Sequence, residues 1–299
     1  MRRPLVVAAL LAAALTAVAQ QRTTLSVDPR AADARLAGGE PAHWIAYDPA
    51  LAEAPLVVWL PGTNGQPEHG PKALFATMLD EGYRFIGLSY HDTQAVAQIC
   101  VQARLRAQPN CAAHVRQQRV WGDLPSAPID DRPEDAIVPR LTGLLRHLAE
   151  RDPAGHWEAY LDGAEPRWSR IVLAGQSQGG GMAAFLAQTR SVAGVLVFSG
   201  GWDHGANGDI ATWYRRRSVT PPERWQATYN VQEPQAGTLD RIYRTLGIPA
   251  AQVHALDLPV VARLPHTDGV GNPAYAPLWR QMLAVGKQQT QDGSASAPR

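Results

Sequence analysis

Short runs rich in Val and Ile alternate along this chain with longer segments of helical period, and that alternation limits the fold more than any other feature. Runs that are apolar throughout, with no strict in-out pattern, belong to strands buried on both faces, and the intervening segments supply the helices that cover them. The expected class is α/β: a single domain with a mostly parallel central sheet and helices on both faces. Candidate strands are 43–47, 56–60, 84–90, 171–174, 195–199, 225–231 and 260–264, and helical stretches are 72–81, 136–151, 179–189, 238–246 and 277–285. The clearest stripe is Ile137, Leu141, Leu144, Leu145 and Leu148, at the spacing of one helix face.

The first residues differ in kind from the rest. Arg2 and Arg3 precede an apolar stretch over 5–18, and Ala17-Val18-Ala19 stands before Gln20. That is the pattern of a secretory signal with a small-residue cleavage site, so 1–19 reads as a signal peptide and 20–287 as the folded domain. The apolar stretch falls short of the roughly 20 residues that cross a bilayer, so no stable membrane span is expected after cleavage. The mature protein is expected to be secreted or periplasmic. In such a compartment Cys100 and Cys111, the only cysteines in the chain, read as one disulfide. They lie in 94–132, a turn-rich stretch that breaks the alternation and reads as a lid-like insertion over the strand ends. The polar tail 288–299 reads as disordered. A formal charge of +1, from 28 Lys and Arg against 27 Asp and Glu, offers no footprint for a phosphate backbone, and nucleic acid is set aside as a partner. His91 and His114 match no common zinc spacing beside the cysteines, and neither metal nor cofactor is expected.

Residues 171–174 run directly into Gly175-Gln176-Ser177-Gln178-Gly179, and small residues of a helical stretch follow. A bare G-x-S-x-G is a weak signal, but a strand before it and a helix after it make it specific. The glycines permit a turn so sharp that a Cβ would clash, and the turn lifts the serine hydroxyl off the sheet at a helix N-terminus. On these residues the chain resembles the α/β-hydrolase superfamily, over nearly all of its mature length. The resemblance implies a single α/β-hydrolase domain in which Ser177 is the nucleophile and an acid, then a histidine, follow it. His266, in Leu264-Pro265-His266 after 260–264, stands where that family keeps its histidine, whereas His254 reads as a half-buried strand residue. For the acid, Glu233 after 225–231 is favoured, with Asp203 after 195–199 as the alternative and Asp240 and Asp257 as further carboxylates. The resemblance also implies an oxyanion hole from the backbone N–H of Gln178 and of Thr63, with Asn64 as the other donor in the Pro61-Gly62-Thr63-Asn64-Gly65 loop.

Trp121, Trp202 and Trp213 fall in expected loops near strand ends and could line an apolar or carbohydrate-stacking cleft. The stretch from Asp203 to Asp209 lacks the alternation of a calcium loop and reads as a turn. Together these readings point to hydrolysis of a carboxylic ester, small-molecule or glycan, through an acyl-enzyme. A serine peptidase or amidase of the same fold, and a non-catalytic binding protein on a hydrolase scaffold, are the alternatives.

Overall fold

The structure, a computed structural model, describes residues 22–295, and the signal peptide read over 1–19 lies outside them. Its strands are β1 (Thr23–Val27), β2 (His43–Tyr47), β3 (Leu56–Leu60), β4 (Arg84–Gly87), β5 (Leu161–Asp162), β6 (Glu165–Pro166), β7 (Ile171–Gln176), β8 (Gly194–Phe198), β9 (Trp225–Asn230) and β10 (Val253–Leu256). Strands β5 and β6 form a separate two-stranded ribbon, and the others make one eight-stranded sheet in the order β1-β2-β4-β3-β7-β8-β9-β10. From β4 to β10 every pairing is parallel, while β2 runs antiparallel to both β1 and β4.

The buried runs work as the sequence pattern requires. Along β3, Leu56, Val58 and Leu60 join one core while Val57 and Trp59 join the other, because successive side chains of a strand point to opposite faces. The first core is closed by helices Ile137–Arg151, Gln178–Ala187 and Ala236–Thr245, the second by Lys72–Asp80 and Ala276–Ala295. Leu141, Leu144, Leu145 and Leu148 are all buried under the sheet. At about 2 kcal/mol for each such side chain removed from water, this one helix face outweighs any single polar contact in the fold.

Some boundaries differ from the sequence reading. The last strand is Val253–Leu256, not 260–264; the latter is irregular, with Val261 67% and Leu264 54% exposed. Pro259 and Pro265 bracket that run, and its Val261 and Ala262 N–H groups go to the Asp268 carboxylate instead of a neighbouring strand, while the true edge strand has one half-wet face and so no continuous apolar run. β1 went unread because its burial alternates, as expected at an antiparallel edge. The closing helix continues to Ala295, into the stretch read as a disordered tail from 288, and 296–299 lie outside the described residues. The insertion over 94–132 holds helices Val96–Ile99, Gln102–Ala107 and Cys111–Trp121, and Cys100 and Cys111 are disulfide-bonded with Cα atoms 5.8 Å apart.

Since the parallel strands share one direction, their C-terminal ends open along one edge of the sheet. The loops after β3, β4, β7, β8, β9 and β10 meet there, the usual place for a ligand site in an open α/β sheet.

Candidate active site

Ser177 sits between β7 and helix Gln178–Ala187 with φ 56° and ψ −122°, a conformation that side-chain-bearing residues rarely adopt. Two glycines make that turn possible. A Cβ on Gly175 would lie 2.5 Å from the carbonyl carbon of Gly179, and one on Gly179 would lie 2.0 Å from the carbonyl oxygen of Leu60. The turn is pinned by the Ser177 N–H, which donates to the Phe198 carbonyl at 2.9 Å, and by the Ser177 carbonyl, which accepts from Gly181 and Gly201 at 3.2 Å each.

His266 occupies the first turn of helix Pro265–Gly271, where Pro265 ends the preceding loop and presets the helical φ. That loop is clipped down by buried Asp268, whose Oδ1 accepts the N–H of Val261 at 2.9 Å and of Ala262 at 3.0 Å. The imidazole Nδ1 lies 2.6 Å from Glu233 Oε2, and the ring stacks edge-on against Trp202 with centroids 5.0 Å apart. The second Glu233 oxygen, Oε1, accepts from Ser199 Oγ at 2.6 Å and from the Asn230 N–H at 2.8 Å. Burial would raise the Glu233 pKa, but the hydrogen bonds from His266, Ser199 and Asn230 outweigh it and hold the carboxyl below its ordinary value. Ser199, at φ 43°, was missed in the sequence, where it read only as the end of a strand.

Asp203 does not approach His266 by any hydrogen bond; its carboxylate faces the insertion instead. Arg116 Nε donates to Oδ2 at 2.6 Å and Arg116 Nη2 to Oδ1 at 2.8 Å, and Trp213 Nε1 adds a third bond at 2.8 Å. Both partners of the ion pair are buried. Arg116 comes from helix Cys111–Trp121, whose first residue is the disulfide Cys111, so a stapled helix places the guanidinium. Nothing in the sequence marked Arg116, because an arginine in a polar helical stretch reads as a solvated one. From Asp203 onward the chain is a turn, with Gly205 N–H on the Asp209 carbonyl at 2.7 Å.

Across from Ser177 runs the loop after β3. A Cβ on Gly62 would meet Gln176 Oε1 at 2.7 Å and Ser177 Cβ at 3.2 Å, which measures how closely this backbone approaches the serine. The Asn64 N–H is engaged by the Asp92 carbonyl at 3.2 Å, and the Gly65 N–H by Asp92 Oδ2 at 3.0 Å. Of the two donors considered in this loop, Thr63 is the one whose N–H is not taken up by Asp92. Burial pushes the Asp92 carboxyl up to about 7. The Gln178 side chain ties these parts together: Nε2 donates to the Asp92 carbonyl at 3.2 Å, while Oε1 accepts the Val96 N–H of the insertion at 3.1 Å.

A pocket of about 70 Å³ opens at Ser177, lined by Thr63, Val96, Ala97, Gln178, Trp202 and Asp203 among others. Of the tryptophans placed near the strand ends, only Trp202 lines it. Trp213 is buried behind Asp203, and Trp121 lies under the Arg190 guanidinium 4.4 Å away. Elsewhere, Glu40, His91 and Asp135 bring potential metal-ligand atoms within 4.8 Å of one another. Arg140 Nη2 already binds Glu40 Oε1 at 2.9 Å and Asp135 Oδ1 at 3.4 Å, and His91, raised to about 9 by bonds to Asp131 and Glu40, carries a proton at neutral pH. The cluster is an ion-pair network, chemically unlike a cation site.

No family model matches the chain, and no curated protein is similar to it. Among solved structures, it is similar to a dienelactone hydrolase from Anabaena variabilis, at 15% identity and a TM-score of 0.47 over 88% of this chain and 97% of that one. A bacterial heroin esterase matches at 14% identity and 0.49 over 89% and 84%, and a dienelactone hydrolase-like promiscuous phosphotriesterase from metagenomic libraries at 18% and 0.49 over 90% and 98%. At these values no substrate passes from those proteins to this chain. Its own geometry is the firmer ground: a serine on a strand-to-helix elbow of a mostly parallel sheet, with an acid and then a histidine on later strand ends, is the architecture of the α/β-hydrolase fold.

Proposed function

We propose that the mature protein is an exported serine hydrolase that cleaves a carboxylic ester through an acyl-enzyme. The observation that carries this reading is the 2.6 Å contact between His266 Nδ1 and Glu233 Oε2, made on the same sheet edge as the strained elbow of Ser177. Glu233 fixes the tautomer with the proton on Nδ1, leaving Nε2 as the base, and stabilises the imidazolium that forms. In the acylation step Ser177 Oγ bonds the ester carbonyl carbon as its proton passes to His266. The N–H groups of Thr63 and Gln178 take the negative charge on the carbonyl oxygen. The C–O bond then breaks and the alcohol leaves with the proton from His266. A water molecule repeats the sequence on the acyl-enzyme and releases the acid.

An amide substrate would use the same groups, but no feature of the site favours one. Export rests on the signal over 1–19, and the Cys100–Cys111 disulfide is compatible with it. The test is labelling with a fluorophosphonate probe alongside hydrolysis of a short p-nitrophenyl ester. Label on Ser177 and loss of both signals in Ser177→Ala, with the fold intact by circular dichroism, are expected. Absence of labelling and turnover in the wild type would leave a non-catalytic binding protein.

A further inference from the structure

Beside the Ser177 pocket lies a second one, of about 220 Å³, and the two share Val96, Ala97 and Asp203 as a common wall. The second is lined by Cys100, Val101, Leu105 and Ala112, all from the insertion, with Gln102 and His204 also facing it. Its walls are the ends of helices Val96–Ile99 and Gln102–Ala107 and the start of Cys111–Trp121, held against one another by the disulfide. The one charged group of the shared wall, Asp203, is bonded by Arg116 and Trp213, so the ion pair is satisfied within the protein and calls for no charge on a ligand. A substrate with its carbonyl carbon at Ser177 would meet Val96 and Ala97 and, beyond them, an aliphatic chamber. The first pocket alone is much smaller than the ~300–1,000 Å³ typical of small-molecule sites, and the second extends it.

Building on the serine-esterase reading, we propose that this second pocket is an acyl subsite and that the substrates are esters of unbranched apolar acids too long for the first pocket. The lining is mostly aliphatic, with no Lys or Arg, and its Asp203 and Gln102 are bonded to Arg116 and to the Ala206 carbonyl, which suits a hydrocarbon chain better than a sugar or a carboxylate-bearing acyl group. Placing the subsite under the insertion also gives the stapled helices a task in selectivity.

The experiment is a series of p-nitrophenyl esters from acetate to decanoate, hydrolysed by the full mature protein and by Val101→Trp. Val101 is 50% exposed, so an indole can enter the chamber from its open side without displacing core atoms. The wild type should gain about fourfold in kcat/KM for each methylene that enters the subsite, from a transfer free energy of ~0.8 kcal/mol per methylene. Val101→Trp should lower the octanoate-to-acetate ratio of kcat/KM tenfold or more. A second variant, Val101→Asp, should lower the octanoate-to-acetate ratio as well, by placing a carboxylate against the chain. A wild-type profile that is flat or falling beyond acetate, or a ratio unmoved in both variants, overturns the subsite and leaves the esterase reading intact. Failure to turn over any ester overturns the esterase reading, and the subsite with it.

Discussion

Glu233→Gln isolates the job assigned to the acid, because the substitution keeps shape and volume and changes only which atoms donate. Glu233 Oε1 accepts from the Asn230 N–H at 2.8 Å and from Ser199 Oγ at 2.6 Å, and Oε2 accepts from His266 Nδ1 at 2.6 Å. A glutamine must place its NH2 at one of these two positions. Facing Asn230, it would oppose a buried N–H that can only donate, leaving that group unpaired at a cost of about 1–3 kcal/mol. The amide therefore turns its NH2 toward His266. Nδ1 must then accept, its proton moves to Nε2, and the nitrogen meant to take the serine proton no longer can. Loss of the correct tautomer in a serine triad lowers kcat about 10⁴-fold, equivalent to about 5 kcal/mol of transition-state stabilisation. The assay is kcat/KM on a short p-nitrophenyl ester from about pH 5 to 9, with near-UV circular dichroism confirming the fold. A folded Glu233→Gln protein within about tenfold of wild type would refute the tautomer argument. A stability readout belongs to the same variant. The folded carboxyl is held below its ordinary 4.5, so its contribution is present above that pH and is lost as the pH falls through the folded value. Glu233→Gln should flatten the acid limb of a urea-midpoint profile.

Arg116→Met should destabilise the fold by about 3–5 kcal/mol, since it strands the buried Asp203 carboxylate with Trp213 as its remaining side-chain donor. Adding Asp203→Leu should recover much of that loss in the urea midpoint, and a double variant no better than the single would contradict the account. Reducing the Cys100–Cys111 bond, which spans a sequence separation of 11, should cost about 3 kcal/mol in the chain-entropy picture, measured by denaturation with and without reductant. His91, raised to about 9, supplies stability that is complete below its ordinary 6.5 and disappears as the pH rises through about 9. His91→Gln should therefore flatten the alkaline limb and, because His91 also holds the Glu40 and Asp131 carboxyls below their ordinary values, weaken the acid limb as well.

What the amino-acid sequence determined by itself was the class of sheet and the two ends of the elbow. Buried parallel strands must be apolar on both faces, and this held for β3, β7 and β8, whose runs are continuous. The same rule misled at the edge. β10 carries one half-wet face and looks polar, while the exposed Val261 and Leu264 of the following loop look like a strand. Hydrophobic pattern reports burial, and at a sheet edge burial and strandedness part company. The elbow was legible because its glycines stand at a fixed spacing about the serine between a strand and a helix; the demand on Gly175 is local, set by Gly179 and Gly180, while that on Gly179 comes from Leu60 and Pro61 at the end of β3. Which carboxylate meets His266 was open between Glu233 and Asp203, since both follow strands of the sheet. Only the tertiary structure separates them. Arg116 arrives from a disulfide-stapled insertion and takes Asp203, while Asn230 and Ser199 aim Glu233 at the imidazole. Partners so distant along the chain leave no period or spacing to read; they are set by how the helices of an insertion settle on the strand ends.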